Sequence, residues 1–204
     1  MLEFFIAALV IGIAPGPDNL FVLAQSATYG ARLGFCIILG LCTGIAIHTC
    51  LLVAGVSALI AASPTAFFVI QCLGAAYLLY LAYKSFGVKV GTVDLDEGES
   101  NTLLSPRKLY LRGVIMNLTN PKVILFILSL IPPAVRLDRP IHPSLQMVIF
   151  GAEFIVATMI VFGSIALLAG SVKKYLLNSP KANRNLNWFS GCVFVLLAVA
   201  LFMV

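Results

Sequence analysis

The sequence predicts an all-α integral membrane protein in which six transmembrane helices form a 3+3 inverted repeat with broken first and fourth helices. Composition, the spacing of apolar segments and two proline breaks half a chain apart lead to this prediction. Of the 204 residues, 61% are hydrophobic and 10% are charged, whereas about a quarter of the residues in a soluble domain are charged. The mean hydropathy is +1.06. Because so few polar groups cannot cover a water-exposed surface, the chain is expected in a lipid bilayer.

Six apolar segments each approach the roughly 20 residues that cross a bilayer as a helix. The Ile131-Pro132-Pro133 sequence is expected to end the fourth segment, since proline lacks the N–H that continues a helix. A polar stretch separates the two halves of what we expect to be one transmembrane domain over residues 1–204. The halves are about 1–84 and 107–204, and the intervening cytoplasmic loop is about 85–106. The six segments lie at about 4–27, 33–60, 65–83, 111–131, 145–168 and 188–204.

Basic residues indicate the orientation. Ten of them fall in the loops on one side of the predicted membrane, and two, Arg136 and Arg139, fall on the other. Loops rich in lysine and arginine stay in the cytoplasm, so both termini are predicted outside it. Because the basic residues occupy short loops, the net charge of +5 does not indicate nucleic-acid binding.

Two breaks interrupt the apolar pattern at related positions. The first segment contains Pro15-Gly16-Pro17-Asp18-Asn19 and the fourth contains Asn120-Pro121-Lys122. Aligning Pro17 with Pro121, 104 residues later, also aligns Asp18 with Lys122. Each half then begins with a span that is broken at a proline and followed by a charge. Three spans per half is an odd number, so the halves insert with opposite orientations, as in many secondary transporters.

Asp18 and Lys122 are the strongest candidates for a functional pair. An isolated charge at the centre of a bilayer costs about 2.5–3.5 kcal/mol on insertion scales. The two could form a salt bridge that locks the halves, or each could reach headgroups from a membrane edge. They could instead bind a zwitterion or couple to protons, with Lys122 holding a carboxylate and Asp18 an ammonium group or a proton.

The prolines at 15, 17 and 121 also free backbone carbonyls, which are costly in a dry environment unless something pairs with them. Half-helix ends present partial charges that suit the two ionised groups of an amino acid. A kink needed only for packing is the alternative. Polar side chains near the breaks are Asn19, Asn117, Thr119 and Asn120.

Two further ionisable residues lie inside predicted spans. Glu153 in the fifth span is either a proton-coupling carboxyl or a neutral, hydrogen-bonded side chain. For His48 in the second span, a neutral histidine bonded to a backbone carbonyl is the simpler interpretation, and a translocation role is the alternative. The five cysteines are expected to be small buried hydrophobes. Their spacing indicates no metal site, and no cofactor is expected.

The motifs resemble those of the LysE/Rht family of bacterial amino-acid exporters. The resemblance rests on Pro15-Gly16-Pro17-Asp18-Asn19, on Gly30-x-Arg32-x-Gly34, and on Gly40-Leu41-x-x-Gly44 with His48. It continues through the Gly74-Ala75-x-Tyr77-Leu78 stretch and Asn117-Leu118-Thr119-Asn120-Pro121-Lys122. It implies a proton-driven antiporter that exports amino acids or related metabolites across the bacterial inner membrane, with periplasmic termini. It also implies that Asp18 and Lys122 belong to the translocation site.

Other functions were weighed against this one. A metal-ion transporter would need in-span ligands at recognisable spacing. A membrane thiol–electron carrier on a similar six-helix scaffold would need cysteines at the two breaks, where Asp18 and Lys122 stand instead. A membrane interaction protein without transport activity would lack a central polar cavity. No hydrolase or ATPase motif occurs, so an enzyme is not expected. A homo-oligomer is left open.

Overall fold

The structure is a computed structural model that describes residues 2–14, 16–62, 64–87, 105–136, 138–171, 180–200 and 202. The described residues are almost entirely helical and include no strand, which confirms the all-α prediction. The eight helices are α1 (Leu2–Ile13), α2 (Pro17–Tyr29), α3 (Ala31–Ala62), α4 (Pro64–Gly87), α5 (Pro106–Thr119), α6 (Pro121–Ala134), α7 (Pro143–Leu167) and α8 (Pro180–Ala200).

Both predicted breaks are present as sharp bends. The axes of α1 and α2 meet at 63°, and those of α5 and α6 meet at 56°. Pro17 and Pro121 each occupy the beginning of the second helix of a pair. Proline is favoured there because its fixed φ suits a helix and its missing N–H would have had no partner in the helix. Pro15 lies outside the described residues.

Helix α3 is the central element and packs against α5 on one side and α7 on another. Contacts of Gly40 with Tyr110 and of Gly44 with Asn117 show that α3 and α5 run parallel. Their backbones approach closely, since a Cβ atom on Gly40 would lie 2.1 Å from the carbonyl oxygen of Tyr110. Small residues allow such approaches between membrane helices.

The other main pairs have equally clear directions. Phe35 meets Gly163 and Thr49 meets Gly151, so α3 and α7 are antiparallel. Helices α4 and α8 are also antiparallel, since Phe68 stacks on Phe202 and Phe86 stacks on Trp188. Helix α1 runs parallel to α7, with Phe4 beside Phe150 at 4.9 Å and Gly12 beside Val161.

Aromatic side chains join α1, α6 and α7 next to the first break. The rings of Phe4 and Phe126 are 5.6 Å apart, and those of Phe126 and Phe154 are 4.9 Å apart. All three are buried. Offset aromatic pairs of this kind contribute beyond the area they bury, so the break region is held in a rigid apolar frame.

Length and hydropathy identify fewer spans than the six predicted. Among the described residues, two single helices can cross a membrane, Ala31–Gly55 and Pro143–Leu167, and each bent pair qualifies as one more. The apolar part of α8, Asn187–Val199, is shorter. The chain is thus a multi-helix protein with two to four candidate spans on these criteria.

The predicted end of the fourth segment at Ile131-Pro132-Pro133 is wrong by a few residues. Helix α6 continues through both prolines to Ala134. Proline removes the bond that its own N–H would make to the preceding turn, but it leaves the earlier turns intact. The helix therefore ends just after the prolines, where the N–H of Val135 turns back to the carbonyl oxygen of Pro132 at 3.2 Å.

Candidate functional site

The first break places Asp18 and Asn19 in the first turn of α2, and both side chains are buried. The amide of Asn19 donates to the carbonyl oxygen of Gly12 at 2.7 Å. That carbonyl belongs to the last turn of α1, which has no partner further along the helix. Asn19 therefore satisfies one of the carbonyls that the break exposes, as the sequence predicts.

The second break brings Asn120 directly to Asp18. The Asn120 Nδ2 group donates to Asp18 Oδ2 at 2.8 Å, while its Oδ1 accepts from the backbone N–H of Lys122 at 3.0 Å. One side chain thus caps α6 and contacts the carboxylate at the start of α2. Residues 102 positions apart in the chain meet in a buried hydrogen bond.

The Lys122 ammonium group binds the end of α1. It donates to the carbonyl oxygens of Ala14 at 3.0 Å and Ile11 at 3.3 Å. A cation is favoured at a helix C-terminus, where free carbonyls carry partial negative charge. Two of its three N–H groups are used in this way, and no acceptor for the third is present among the described residues.

The geometry separates the explanations that the sequence leaves open for the two charges. Within the described part of the chain, Asp18 is hydrogen-bonded to Asn120 and Lys122 to α1, so the two side chains share no direct hydrogen bond. Asp18 is 4% exposed and Lys122 is 7% exposed, so neither extends along the protein surface as a snorkelling side chain does. They are opposite charges in one cluster, with Asn120 between them.

Several buried oxygens of this cluster have no hydrogen-bond partner. They are Asp18 Oδ1, Asn19 Oδ1 and Asn117 Oδ1. Most buried polar atoms in proteins are paired, and an unpaired one costs about 1–3 kcal/mol. Acceptors left unpaired beside a cavity are suited to a ligand that brings N–H groups.

Asp18, Asn117 and Lys122 line one cavity between the breaks and helices α3 and α7. The volume open to the centres of water molecules is about 20 Å³, which holds a water or two and is too small for an amino acid. The remaining lining residues are Ile11, Gly12, Leu41, Ile45, Val123, Phe154, Thr158 and Phe162.

His48 lies beside the cluster and is half-buried. Its Nε2 atom is 3.5 Å from the carbonyl oxygen of Asn117, which is the backbone contact that the simpler interpretation of this histidine predicts. Gly44, one turn earlier, faces the Asn117 side chain so closely that a Cβ there would lie 2.5 Å from Asn117 Oδ1. The motif Gly44-x-x-x-His48 therefore holds Asn117 from two positions on α3.

Glu153 is not part of the cavity lining, although its neighbour Phe154 is. Its side chain is half-buried, and its Oε2 atom is buried with no hydrogen-bond partner. Thr119 donates to carbonyls of its own helix at Ile115 and Met116. The structure thus gathers Asp18, Lys122, Asn19, Asn117 and Asn120, has His48 at the edge and leaves Glu153 and Thr119 apart.

Residues of α7 that the sequence did not single out complete the cavity wall. Phe154, Thr158 and Phe162 are spaced by four, so they lie on one helix face, and all three are buried. That spacing is visible in the sequence, but α7 is apolar on every side and offers no contrast from which its inner face could be read.

Other chemistries find little support in the side chains present. All five cysteines are free thiols, and none lies at either break. No group of three histidine, cysteine or acidic side chains that could hold a metal ion occurs among the described residues.

Comparison with known proteins extends the resemblance over most of the chain. Residues 9–204 match the model of the family described as LysE type translocator. An uncharacterized membrane protein of Bacillus subtilis is 33% identical over 181 residues, which cover 85% of this chain and 84% of the relative. The homoserine/homoserine lactone efflux protein of Salmonella typhi is 31% identical over 199 residues, with 97% and 93% covered.

The leucine efflux protein of Salmonella choleraesuis is 29% identical over 192 residues, which cover 94% of this chain and 89% of the relative. No solved structure matches the chain. These relatives are similar along nearly their whole length, as expected for chains with one architecture. The chain therefore belongs to the LysE type translocator family.

Proposed function

We propose that the chain is a secondary active exporter of amino acids, driven by the proton gradient of the bacterial inner membrane. The observation that carries the proposal is the buried cluster in which Asp18 of one break meets Asn120 and Lys122 of the other. Relatives named for the efflux of homoserine and of leucine support an amino-acid cargo.

The cluster suits the two ionised groups of an amino acid. The unpaired Oδ1 atoms of Asp18 and Asn117 line the cavity and accept the N–H groups of an ammonium. Lys122 lines the same cavity and supplies a cation for the carboxylate. The position of Lys122 favours this role, because a cation in the first turn of a helix opposes the helix dipole, and α6 gains nothing locally from it.

Binding of the carboxylate is coupled to the break in α1. In the structure the Lys122 ammonium is held by Ile11 and Ala14, so a substrate carboxylate competes with the end of α1 for the same cation. Winning that competition frees the carbonyls of α1 and loosens its contact with α6. Because the cavity is too small for an amino acid, such a movement is required before substrate enters.

Asp18 is the proposed proton carrier, since substrate and proton would compete for one carboxylate, which is the requirement for antiport. His48, beside Asn117, and Glu153, on the neighbouring face of α7, are the secondary candidates for proton transfer. The contact of His48 with the Asn117 carbonyl oxygen links it to the cluster, whereas Glu153 has no such contact.

We further propose the six-span, 3+3 inverted arrangement, with halves of about 1–84 and 107–204 and both termini in the periplasm. The matching helices of the two halves run in opposite directions, as the antiparallel pairs α3–α7 and α4–α8 illustrate. The contact of α3 with α5 has its counterpart in the contact of α7 with α1. The bends of 63° and 56° lie at equivalent positions.

The test of function is efflux from proteoliposomes loaded with a panel of labelled amino acids, with and without an imposed pH gradient. Wild-type protein should release at least one amino acid faster with the gradient than after a protonophore collapses it. Asp18→Asn should abolish release while the protein still inserts, because the neutral amide can neither carry a proton nor balance an ammonium charge. Asp138→Asn, at an exposed aspartate, is the matched control and should transport normally.

Wild-type release by Asp18→Asn would remove the proposed role of the carboxylate. The orientation has a separate test in reporter fusions. Fusions at Glu97 and Ser179, which lie outside the described residues, should report the cytoplasm, and one at Asp138 should report the opposite side. The same signal from all three would contradict the arrangement.

A further inference from the structure

The charges in the cavity wall restrict which amino acids the site can accept. Asp18 and Lys122 are the ionisable side chains among the residues that line the cavity within the described part of the chain. If a bound amino acid uses both, as the proposed function requires, no charge remains in the wall for its side chain. The inference below rests on that proposed function.

The rest of the wall is apolar apart from Asn117 and one hydroxyl group. Leu41 and Ile45 face the cavity from α3, each 1% exposed. Phe154 and Phe162 face it from α7, and Thr158 lies between them. Helices α3 and α7 pack directly against each other, so this wall is closed by protein.

A basic side chain would have no counter-ion in this wall. The nearest acidic residue along α7, Glu153, is one position before Phe154 and is thus turned by about 100° around the helix axis. It does not line the cavity. The ammonium of lysine or the guanidinium of arginine would be buried among Leu41, Ile45 and the two phenylalanines without a partner, and an unpaired buried charge is strongly unfavourable.

We infer that this transporter selects amino acids with neutral side chains, and that Thr158 on the inner face of α7 is a specificity-determining residue. Its hydroxyl lies at the polar position of an otherwise apolar wall, between Phe154 and Phe162. Apolar side chains pack against the phenylalanines, and hydroxylated ones pair with Thr158. Basic amino acids are excluded for want of a second carboxylate.

The first arm of the test compares initial efflux rates from proteoliposomes that contain wild-type protein and equal concentrations of labelled leucine, threonine, lysine or arginine. We expect the neutral pair to leave at least about tenfold faster than the basic pair. Equal or faster export of lysine or arginine would overturn the inference and leave the proposed exporter intact. Export of none of the four at a rate above protein-free liposomes would contradict the proposed function itself.

The second arm places a carboxylate in the wall. Thr158→Asp should raise the ratio of lysine to leucine export at least about tenfold, because the new charge pairs with the side-chain ammonium. Thr158→Asn is the matched control of the same size without the charge, and it should not raise the ratio. An equal effect of both variants, or no effect of either, would overturn the role of Thr158.

A milder substitution covers the case in which Thr158→Asp does not insert. Thr158→Val keeps the shape of the side chain and removes only the hydroxyl, so the ratio of threonine to leucine export should fall about threefold or more. Ser164→Ala removes a hydroxyl from the same helix outside the cavity, where it donates to the carbonyl oxygen of Ile160 at 2.7 Å. That control should keep the wild-type ratio, and an unchanged ratio in Thr158→Val would contradict the proposal.

Discussion

Replacing Lys122 by methionine tests whether Asp18 and Lys122 stabilise each other although they make no direct hydrogen bond. The substitution keeps the length of the side chain and removes its charge. It deletes the bonds to the carbonyl oxygens of Ala14 and Ile11, at 3.0 and 3.3 Å, and leaves the Asp18 carboxylate buried without a nearby cation. Bonds from a charged donor contribute about 1.5–3 kcal/mol each, and breaking a buried pair costs about 3–5 kcal/mol.

We therefore expect Lys122→Met to lose about 3–5 kcal/mol of stability. For a chain of this length, this corresponds to a fall in Tm of about 6–20 °C. Thermal unfolding of the purified protein in detergent measures it. Lys108→Met, at an exposed lysine in the first turn of α5, is the control and should keep the wild-type Tm within about 2 °C.

The double variant Asp18→Asn/Lys122→Met distinguishes coupling from two independent losses. Removing the Asp18 charge relieves the unpaired carboxylate that Lys122→Met creates. The double variant should thus unfold about 2–12 °C above Lys122→Met alone, which is a coupling of about 1–3 kcal/mol. Strictly additive falls in Tm, or a wild-type Tm for Lys122→Met, would refute the reasoning.

Two further substitutions test the frame around the site. Gly40→Ala should lower Tm by about 2–12 °C, because its Cβ would lie 2.1 Å from the Tyr110 carbonyl oxygen and overpacking costs about 1–3 kcal/mol. Gly55→Ala on the same helix meets no atom within 4 Å and should not lower it. Gln146→Leu should make the loop between α6 and α7 several times more sensitive to protease, because Gln146 holds the backbone of Arg136 and Ile141 through three hydrogen bonds of 2.8–3.0 Å. A rate of cleavage equal to wild type would show that those bonds do not restrain the loop.

The helix breaks and the residues beside them could be predicted from the sequence because proline and glycine have local conformational effects. Pro17 and Pro121 start helices wherever they stand in the fold. The match of Asp18 to Lys122 followed from the spacing of the two breaks, and the structure places both in one cluster. Asn19 and Asn120 were predicted to pair with groups exposed at the breaks, which they do.

The partners themselves could not be predicted. The bond of Lys122 to the end of α1 depends on how α6 approaches α1, which no local pattern encodes. The inner face of α7 was missed for a different reason. A helix that is apolar all round carries no moment to indicate its inner side, so Thr158 looks like any other small residue. The position of Glu153 shows the same limit, since one residue along a helix separates the cavity wall from another face.

The exchange of partners at Lys122 gives the site a physical reason to couple binding to movement. In the absence of substrate the ammonium is satisfied by the end of α1, so the buried cation is not left unpaired. A carboxylate that displaces those carbonyls removes a contact between the two halves. Substrates without a carboxylate would lack this effect.

Equilibrium binding of labelled leucine to the purified protein tests the central claim most directly, since it asks whether one amino acid is held between the two breaks. Wild-type protein and Asp138→Asn should bind leucine, and the binding should be competed by unlabelled leucine. Isoamylamine, which lacks the carboxylate, and isocaproate, which lacks the ammonium, should not compete. Asp18→Asn and Lys122→Met should each lose binding while remaining folded. Wild-type affinity for leucine in both of these variants would contradict the account.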